Sequence, residues 1–392
     1  MDIKTLIIGA GAAGMMCAAH AGPGTLVIDH AKAPGEKIRI SGGGRCNFTN
    51  THAGPDNFLS QNPHFCKSAL KRYTQWDFIS LVDRHGIAWH EKTLGQLFCD
   101  GKSTQIVNML VQELREAGAD LWLKTSVKGL RHDGTHFHVL LEREGQKTEV
   151  RTRNLVLATG GKSIPAMGAT GLSYEIATKF GLKITETRPA LVPLTFSDQR
   201  FASLSGLSLP VTARANTAGF DEAMLFTHRG LSGPAILQIS SYWREGDEIS
   251  VNLAPAGLFA ALRDARQNAG RVNLTTALAR HLPSRLVDFL AGDLRLAGNL
   301  ADQSDARLRE ICDGLADWRQ KPTGSEGYRT AEVTIGGIDT DELNSRDMMA
   351  KSLPGLFAIG EAVDVTGWLG GYNFQWAWSS GWAAGSAIRS QA

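Results

Sequence analysis

Apolar positions along the chain fall into three textures. Lys4 to Ile8 and Thr25 to Ile28 are short, unbroken apolar runs that read as buried strands, and the small residues between them predict a helix ending at Gly22. Lys124 to Leu130, His136 to Leu141 and Lys147 to Thr152 read as strands of a small antiparallel sheet, with Asp133-Gly134 supplying a hairpin turn. Leu155 to Ala158 returns as a separate buried strand, and Ser173 to Phe180 reads as helical. After Gly181 the runs shorten. Leu191 to Phe196, Ser208 to Ala215, Ala223 to Phe226 and Glu248 to Leu253 predict short strands punctuated by Gly, Pro and Ser, which suggests a barrel-like insert. From Ala256 to about Gln320 the pattern is helical and rich in Leu, Ala and Arg. Ala331 to Ile335 and Leu356 to Ile359 are strands again, and a helix rich in Ala, Trp and Ser closes the chain from about Asn373.

Composition narrows the class. The 392 residues are 43% hydrophobic and 20% charged, which describes a folded globular chain rather than a disordered one. The 43 glycines exceed the usual share of about 7% and call for a reason beyond ordinary turns. Cys17, Cys46, Cys66, Cys99 and Cys312 are scattered and never spaced as CxxC, which argues against a disulfide framework and a zinc site and favours a reducing cytoplasm. No histidine pair has HExxH spacing, and His136 and His138 alternate along a predicted strand, so no metal is expected. Thr5 to His20 is apolar but short of the roughly 20 residues of a membrane span and lacks a basic leader, so neither membrane nor secretion is expected.

The glycines cluster. Gly9, Gly11 and Gly14 form a GxGxxG that follows a strand and opens a helix, and Asp29 closes the next strand twenty residues after Gly9. In a Rossmann-type unit the second glycine lets backbone approach a pyrophosphate, which then sits on the positive end of the helix. The acidic residue bonds both ribose hydroxyls and would repel a 2′-phosphate. Between Arg39 and Arg45, Gly42, Gly43 and Gly44 cost backbone entropy and bury nothing, so a cofactor cradle explains them better than a plain turn. Cys46 reads more readily as a small packing residue than as a reactive thiol.

These segments resemble the HI0933-like, or BaiN-like, family of bacterial flavoproteins, whose ISGGGRCNxTN signature matches Ile40 to Asn50. Further matches run in order along the chain: Ala158 to Ser163, Phe226 to Pro234, Thr334 to Gly337, Gly360-Glu361, and Gly370 to Gln375. The resemblance implies an α/β fold: a discontinuous Rossmann-type FAD domain, with an inserted β-barrel and helical lobe. The first part of the FAD domain covers 1–185, the barrel-like insert 186–255, its helical lobe 256–322, the return of the insert 323–340, and the second part of the FAD domain 341–392. It implies FAD contacts from Gly9, Gly11, Ala12, Ala13, Gly14, Asp29, Lys37, Ser41, Gly42, Gly43, Gly44, Arg45, Cys46 and Asn47. Val127, Ala158, Thr159, Gly160 and Gly161 follow, and the C-terminal contacts are Gly360, Glu361, Gly371, Tyr372, Asn373, Phe374 and Gln375. Asp29 stands where the family more often has Glu. Glu361 is open to a second reading, as a cap of the last helix.

Residue chemistry favours FAD over NAD, because a dinucleotide held by residues 9 to 47 alone would not need a second glycine-rich turn three hundred residues later. The start of the last helix can stabilise negative charge that develops on flavin reduction. No second GxGxxG follows Ala158, so a nicotinamide donor, NAD(P)H, must dock transiently. His228 and Tyr372 are the proton-donor candidates, with a packing turn as the alternative for the His228 loop. Between Lys32 and Gln75 seven basic residues face two acidic ones, in a chain whose net charge is only +2. Lys67, Lys71 and Arg72, together with Arg263, Arg266, Arg271, Arg280 and Arg285, are candidates to hold an RNA backbone, although solvated faces are the commoner case. The family's associations include reduction of activated C=C bonds, in ribosomal RNA uridine or in small enones, and oxidation of small amines. A flavin-based redox sensor using Cys46 or Cys99 is a further alternative.

Overall fold

The computed structural model describes residues 1–391, and the chain divides into two compact units: Met1–Pro189 with Glu332–Ala392, and Ala190–Ala331.

The first unit is built on a sheet in which Asp120–Trp122, Thr25–Ile28, Asp2–Ile8 and the end of Gln146–Leu157 lie parallel. Leu6 and Ile7 have no exposed surface, as expected of strands covered on both faces. The sequence pattern predicts two strands between Lys147 and Ala158, but Gln146–Leu157 is one. Its first half alternates between exposed and buried and pairs antiparallel with Phe137–Arg143. Its last four residues are all buried, and on the same edge it then accepts Leu356–Ala358 in parallel. Arg153-Asn154 carries no turn chemistry, so nothing interrupts the strand where its surroundings change.

The predicted fingerprint helix is Ala12–Ala21, ending on Gly22. Against it packs the last helix, Tyr372–Ser390, at a distance set by two glycines. A Cβ on Gly381 would lie 2.6 Å from the Ala13 carbonyl oxygen, and one on Gly385 2.4 Å from that of Cys17. Backbone therefore meets backbone, which seats the middle of the last helix against the first turns of the fingerprint helix. Beside them Asn47–Asn50, Gln96–Cys99 and Trp89–Glu91 form a three-stranded antiparallel sheet.

The second unit is a seven-stranded antiparallel sheet ordered Trp318–Gln320, Ile249–Asn252, Ser208–Ala215, Ala218–Phe226, Gly230–Ser232, Leu194–Thr195, Gly324–Ser325. Only residues 321–323 separate the first of these from the last. The sheet must therefore curve until its two edges approach each other. Helices Leu258–Ala269, Leu274–Leu278, Ser284–Leu290 and Asp305–Ala316 bury Leu262, Leu274, Leu286 and Leu308 in the core of this unit.

Candidate cofactor and substrate site

The GxGxxG glycines do two different jobs. A Cβ on Gly9 would strike the Ala158 carbonyl oxygen at 2.4 Å, and one on Gly14 the Gly9 carbonyl oxygen at 1.9 Å, so these two serve close packing. Gly11, immediately before the helix, has nothing within 4 Å of its Cβ position. Its missing side chain leaves open space at a helix start, where the first N–H groups have no carbonyl partners within the helix. Ala12 and Ala13 form the first turn. Asp29 receives hydrogen bonds from the Ala10 N–H (2.7 Å) and the Ala31 N–H (2.9 Å), fixing the turn while leaving each oxygen a further lone pair. Thr125 N–H bonds the Asp29 carbonyl, which brings the strand carrying half-buried Val127 alongside.

The triple glycine follows a helical turn, from Glu36, that the sequence pattern did not predict. Ser41 bonds the Ile38 carbonyl, then Gly42 (φ 57°) and Gly43 (φ 65°) run left-handed, and Gly43 faces open space. Three successive left-handed residues, Gly42 to Gly44, make a tight turn that only glycine adopts at little cost, closed by the Arg45 N–H on the Gly42 carbonyl, and it leaves backbone uncovered at Gly43. Exposed Arg45 follows it; its backbone bonds Gly42 and Cys99, and its guanidinium has no hydrogen bond or ion pair to the described residues. Asn47 pairs through its amide with Gln96. Cys46 is fully buried, and burial raises its thiol well above the ordinary range; burial likewise pushes Cys99 up to about 11. Both thiols are fully buried, which gives no support to a sensor that works through them.

Glu361 is neither a helix cap nor free. Gly371 (φ 96°) precedes the last helix, whereas Glu361 accepts from Lys37 Nζ (2.7 Å), Ser163 Oγ (2.8 Å) and the Thr334 N–H (3.0 Å). Burial alone would raise its pKa, but the Lys37 ammonium and these three donors outweigh it and hold the carboxylate below its ordinary range. Lys37 also bonds Ser163, so the lysine expected at a cofactor phosphate is an ion-pair partner that ties four segments together. Gly161 belongs to the same knot: a Cβ there would lie 2.5 Å from Thr334 Oγ1. Gly160 (φ 74°) lies beside Glu361, and Thr159 bonds Ser173. Ser163 and Thr334 lie inside matched motifs, but a lone hydroxyl has no periodicity, and nothing in the pattern singled them out.

At the start of the last helix the side chains hold the fold. Gln375 is fully buried: it accepts from Thr49 Oγ1 (2.7 Å) and donates to the Tyr73 carbonyl and Ser379, so its side chain is not available to a cofactor. Asn373 clamps both backbone groups of Gly367, and Phe374 stacks on Trp378. Tyr372 is buried, edge-on to Phe58 and Trp368. The Gly360 N–H bonds Ser380 and its carbonyl bonds Trp376 Nε1. What this helix offers a ligand is its backbone N–H groups and dipole.

In the second unit, His228 and Arg229 form the exposed tip of the hairpin joining Ala218–Phe226 to Gly230–Ser232, closed by Thr227 and Gly230 backbone bonds. Among the described residues nothing holds the His228 ring. Several candidate RNA contacts are engaged internally. Arg263 and Arg266 pair with Asp305, Arg285 bonds the Ser203 carbonyl, and Arg72 bonds the Arg346 carbonyl and covers Trp382. Lys67, Lys71, Arg271 and Arg280 are exposed. No helix among the described residues is long and apolar enough to cross a membrane.

A parallel sheet, an open glycine before a helix, an uncovered left-handed glycine turn and a last helix packed on the fingerprint helix define a dinucleotide-binding flavoprotein of the oxidoreductase type, and the uncovered glycines fit FAD. The chain belongs to the HI0933-like family, whose Rossmann-domain model matches residues 3–387. It is 52% identical to a ribosomal RNA dihydrouridine synthase of Escherichia coli, over 96% of both chains. It is 26% identical to a 3-dehydro-bile acid Δ4,6-reductase of Clostridium scindens, over 97% of this chain and 98% of the relative. Among solved structures, the 3-ketosteroid-Δ4-(5α)-dehydrogenase of Rhodococcus jostii shares the fold, with a TM-score of 0.54 at 15% identity, over 99% of this chain and 97% of that one. The protein is an FAD-dependent oxidoreductase.

Proposed function

We propose that this protein reduces the C5–C6 double bond of a uridine in ribosomal RNA to dihydrouridine, in the cytoplasm, with NAD(P)H docking transiently as the electron donor. The observation that carries the reading is the 52% identity to a ribosomal RNA dihydrouridine synthase along nearly the whole of both chains. Bound FAD supplies a hydride to the electron-poor ring carbon. The residues of this chain do the rest. Gly11 and the helix behind it would admit the pyrophosphate, the glycine turn at Gly42 and Gly43 and the Arg45 guanidinium would offer backbone and a positive charge to it, and the start of the last helix would stabilise negative charge that develops on the flavin. Uridine needs one proton at the neighbouring carbon. His228, exposed and unheld, is the donor we assign, while Tyr372, packed between Phe58 and Trp368, is the alternative.

The test is the dihydrouridine content of ribosomal RNA, by mass spectrometry, from a strain lacking this protein. Loss of one dihydrouridine, restored by the gene, is expected; an unchanged profile overturns the reading. His228→Asn should retain FAD and slow turnover by roughly a hundredfold. Wild-type turnover moves the assignment to Tyr372. Anaerobic bleaching of the flavin by NADH and by NADPH identifies the donor, and no bleaching by either removes it.

A further inference from the structure

Among the described residues only four large apolar side chains are strongly exposed: Met1, Ile40, Trp76 and Leu94. Trp76 (56% exposed) and Leu94 (57%) project from segments bonded to the same residue. Gln75, next to Trp76, donates its side-chain amide to the Thr51 carbonyl (2.9 Å), and the Thr51 N–H donates to the carbonyl of Gly95, next to Leu94 (2.8 Å).

Leu94 is also unusual in its backbone. It sits at the tip of the hairpin between Trp89–Glu91 and Gln96–Cys99 with φ 55°, a left-handed conformation that glycine adopts more readily than leucine. The surroundings enforce it. Buried Asn50 donates one amide group to the Leu94 carbonyl (3.0 Å) and to the Gly370 carbonyl (2.9 Å). Gly370 immediately precedes Gly371 and the last helix, so one side chain couples the hairpin tip to the helix start that faces the flavin. Leu94 is one of ten left-handed residues other than glycine among the described residues, and what sets it apart is that it is also a strongly exposed apolar side chain, a combination that suits a ligand surface.

The charge around the pair is favourable to a polyanion. Near the pair in sequence, Lys67, Lys71 and Lys92 are exposed without an ion-pair partner among the described residues; of the acids there, Asp77 caps Thr74 and Asp83 accepts from Trp89 Nε1, which leaves exposed Glu91 against three lysines. An exposed indole beside unpaired lysines is the composition of a platform on which unstacked bases lie. We infer that Trp76 and Leu94 form a nucleobase-binding surface, on which Trp76 stacks a flanking base and Leu94 packs against the base presented to the flavin. An enzyme acting on a base in structured RNA must draw that base out of its stack, and an apolar tip at the site fills the gap. This inference rests on the RNA reading above and specifies which residues carry it.

The test uses the FAD-loaded protein with a uridine-containing single-stranded ribosomal RNA fragment. Trp76→Ala should weaken binding by roughly tenfold or more, with Trp76→Phe restoring most of it. Leu94→Gly relieves the backbone, so it should melt at or above the wild-type temperature while forming dihydrouridine several-fold more slowly. If the wild type binds and modifies the RNA and Trp76→Ala and Leu94→Gly do the same at wild-type levels, the surface serves another partner, such as a protein, and the inference is overturned. If the wild type itself neither binds nor modifies RNA, the function proposed above falls, and this inference with it.

Discussion

Replacing Glu361 by Gln tests the knot that joins residues 37, 163, 334 and 361. The side-chain oxygen of glutamine can still accept from Ser163 Oγ and the Thr334 N–H, both of which now bond the same carboxylate oxygen. The other oxygen becomes an NH₂ facing the Lys37 ammonium, and that 2.7 Å contact is lost. A charge-assisted hydrogen bond contributes about 1.5–3 kcal/mol. Lys37 is 32% exposed and can recover water at its ammonium, so the expected loss is near the lower half of that range, about 2 kcal/mol. For a unit of this size it lowers the melting temperature by roughly 4–8 °C. The pH dependence follows from the depressed pKa of Glu361. The unfolded carboxyl binds its proton more readily than the folded one, so the stabilisation is complete above the ordinary glutamate pKa of about 4.3 and is lost as pH falls through the folded value. Thermal melts of both proteins at neutral and acid pH provide the assay. A Glu361→Gln protein that melts with the wild type at pH 7, or whose deficit persists undiminished in acid, would refute the reasoning.

Other consequences are as direct. Gly11→Ala should fold and melt as the wild type yet purify with little flavin, because its Cβ enters space that only a ligand occupies; Gly14→Ala should yield little folded protein, with a Cβ 1.9 Å from a backbone oxygen. Equal flavin content in Gly11→Ala and wild type, by absorbance, would contradict this division of roles. Gly385→Leu must separate the last helix from the fingerprint helix at Cys17, with an overpacking cost of about 1–3 kcal/mol and loss of flavin from a displaced helix start. Normal flavin content would show that the helix spacing does not matter.

The local rules of the chain were enough for some of this. The GxGxxG strand-turn-helix, the hairpin at Asp133-Gly134 and the apolar strands are set by neighbours a few residues apart, and periodicity and turn chemistry report such relations directly. The family followed from ordered motifs. The open role of Gly11 was legible in the fingerprint, but what Gly9 and Gly14 pack against was not: Ala158, which presses on Gly9, lies about 150 residues away. The family resemblance implied cofactor contacts from Gln375 and Lys37, and no local pattern gave their partners within the chain. Only the fold brings Thr49 to one and Glu361 to the other. Arg266 and Arg285 looked free for the same reason, since a sequence does not show the acidic side chain or carbonyl that will meet a guanidinium. Linear pattern determined the elements and the kind of ligand. Tertiary structure alone decided which polar groups are left unpaired to meet that ligand, because hydrogen-bond satisfaction in a folded chain depends on partners up to 330 residues away.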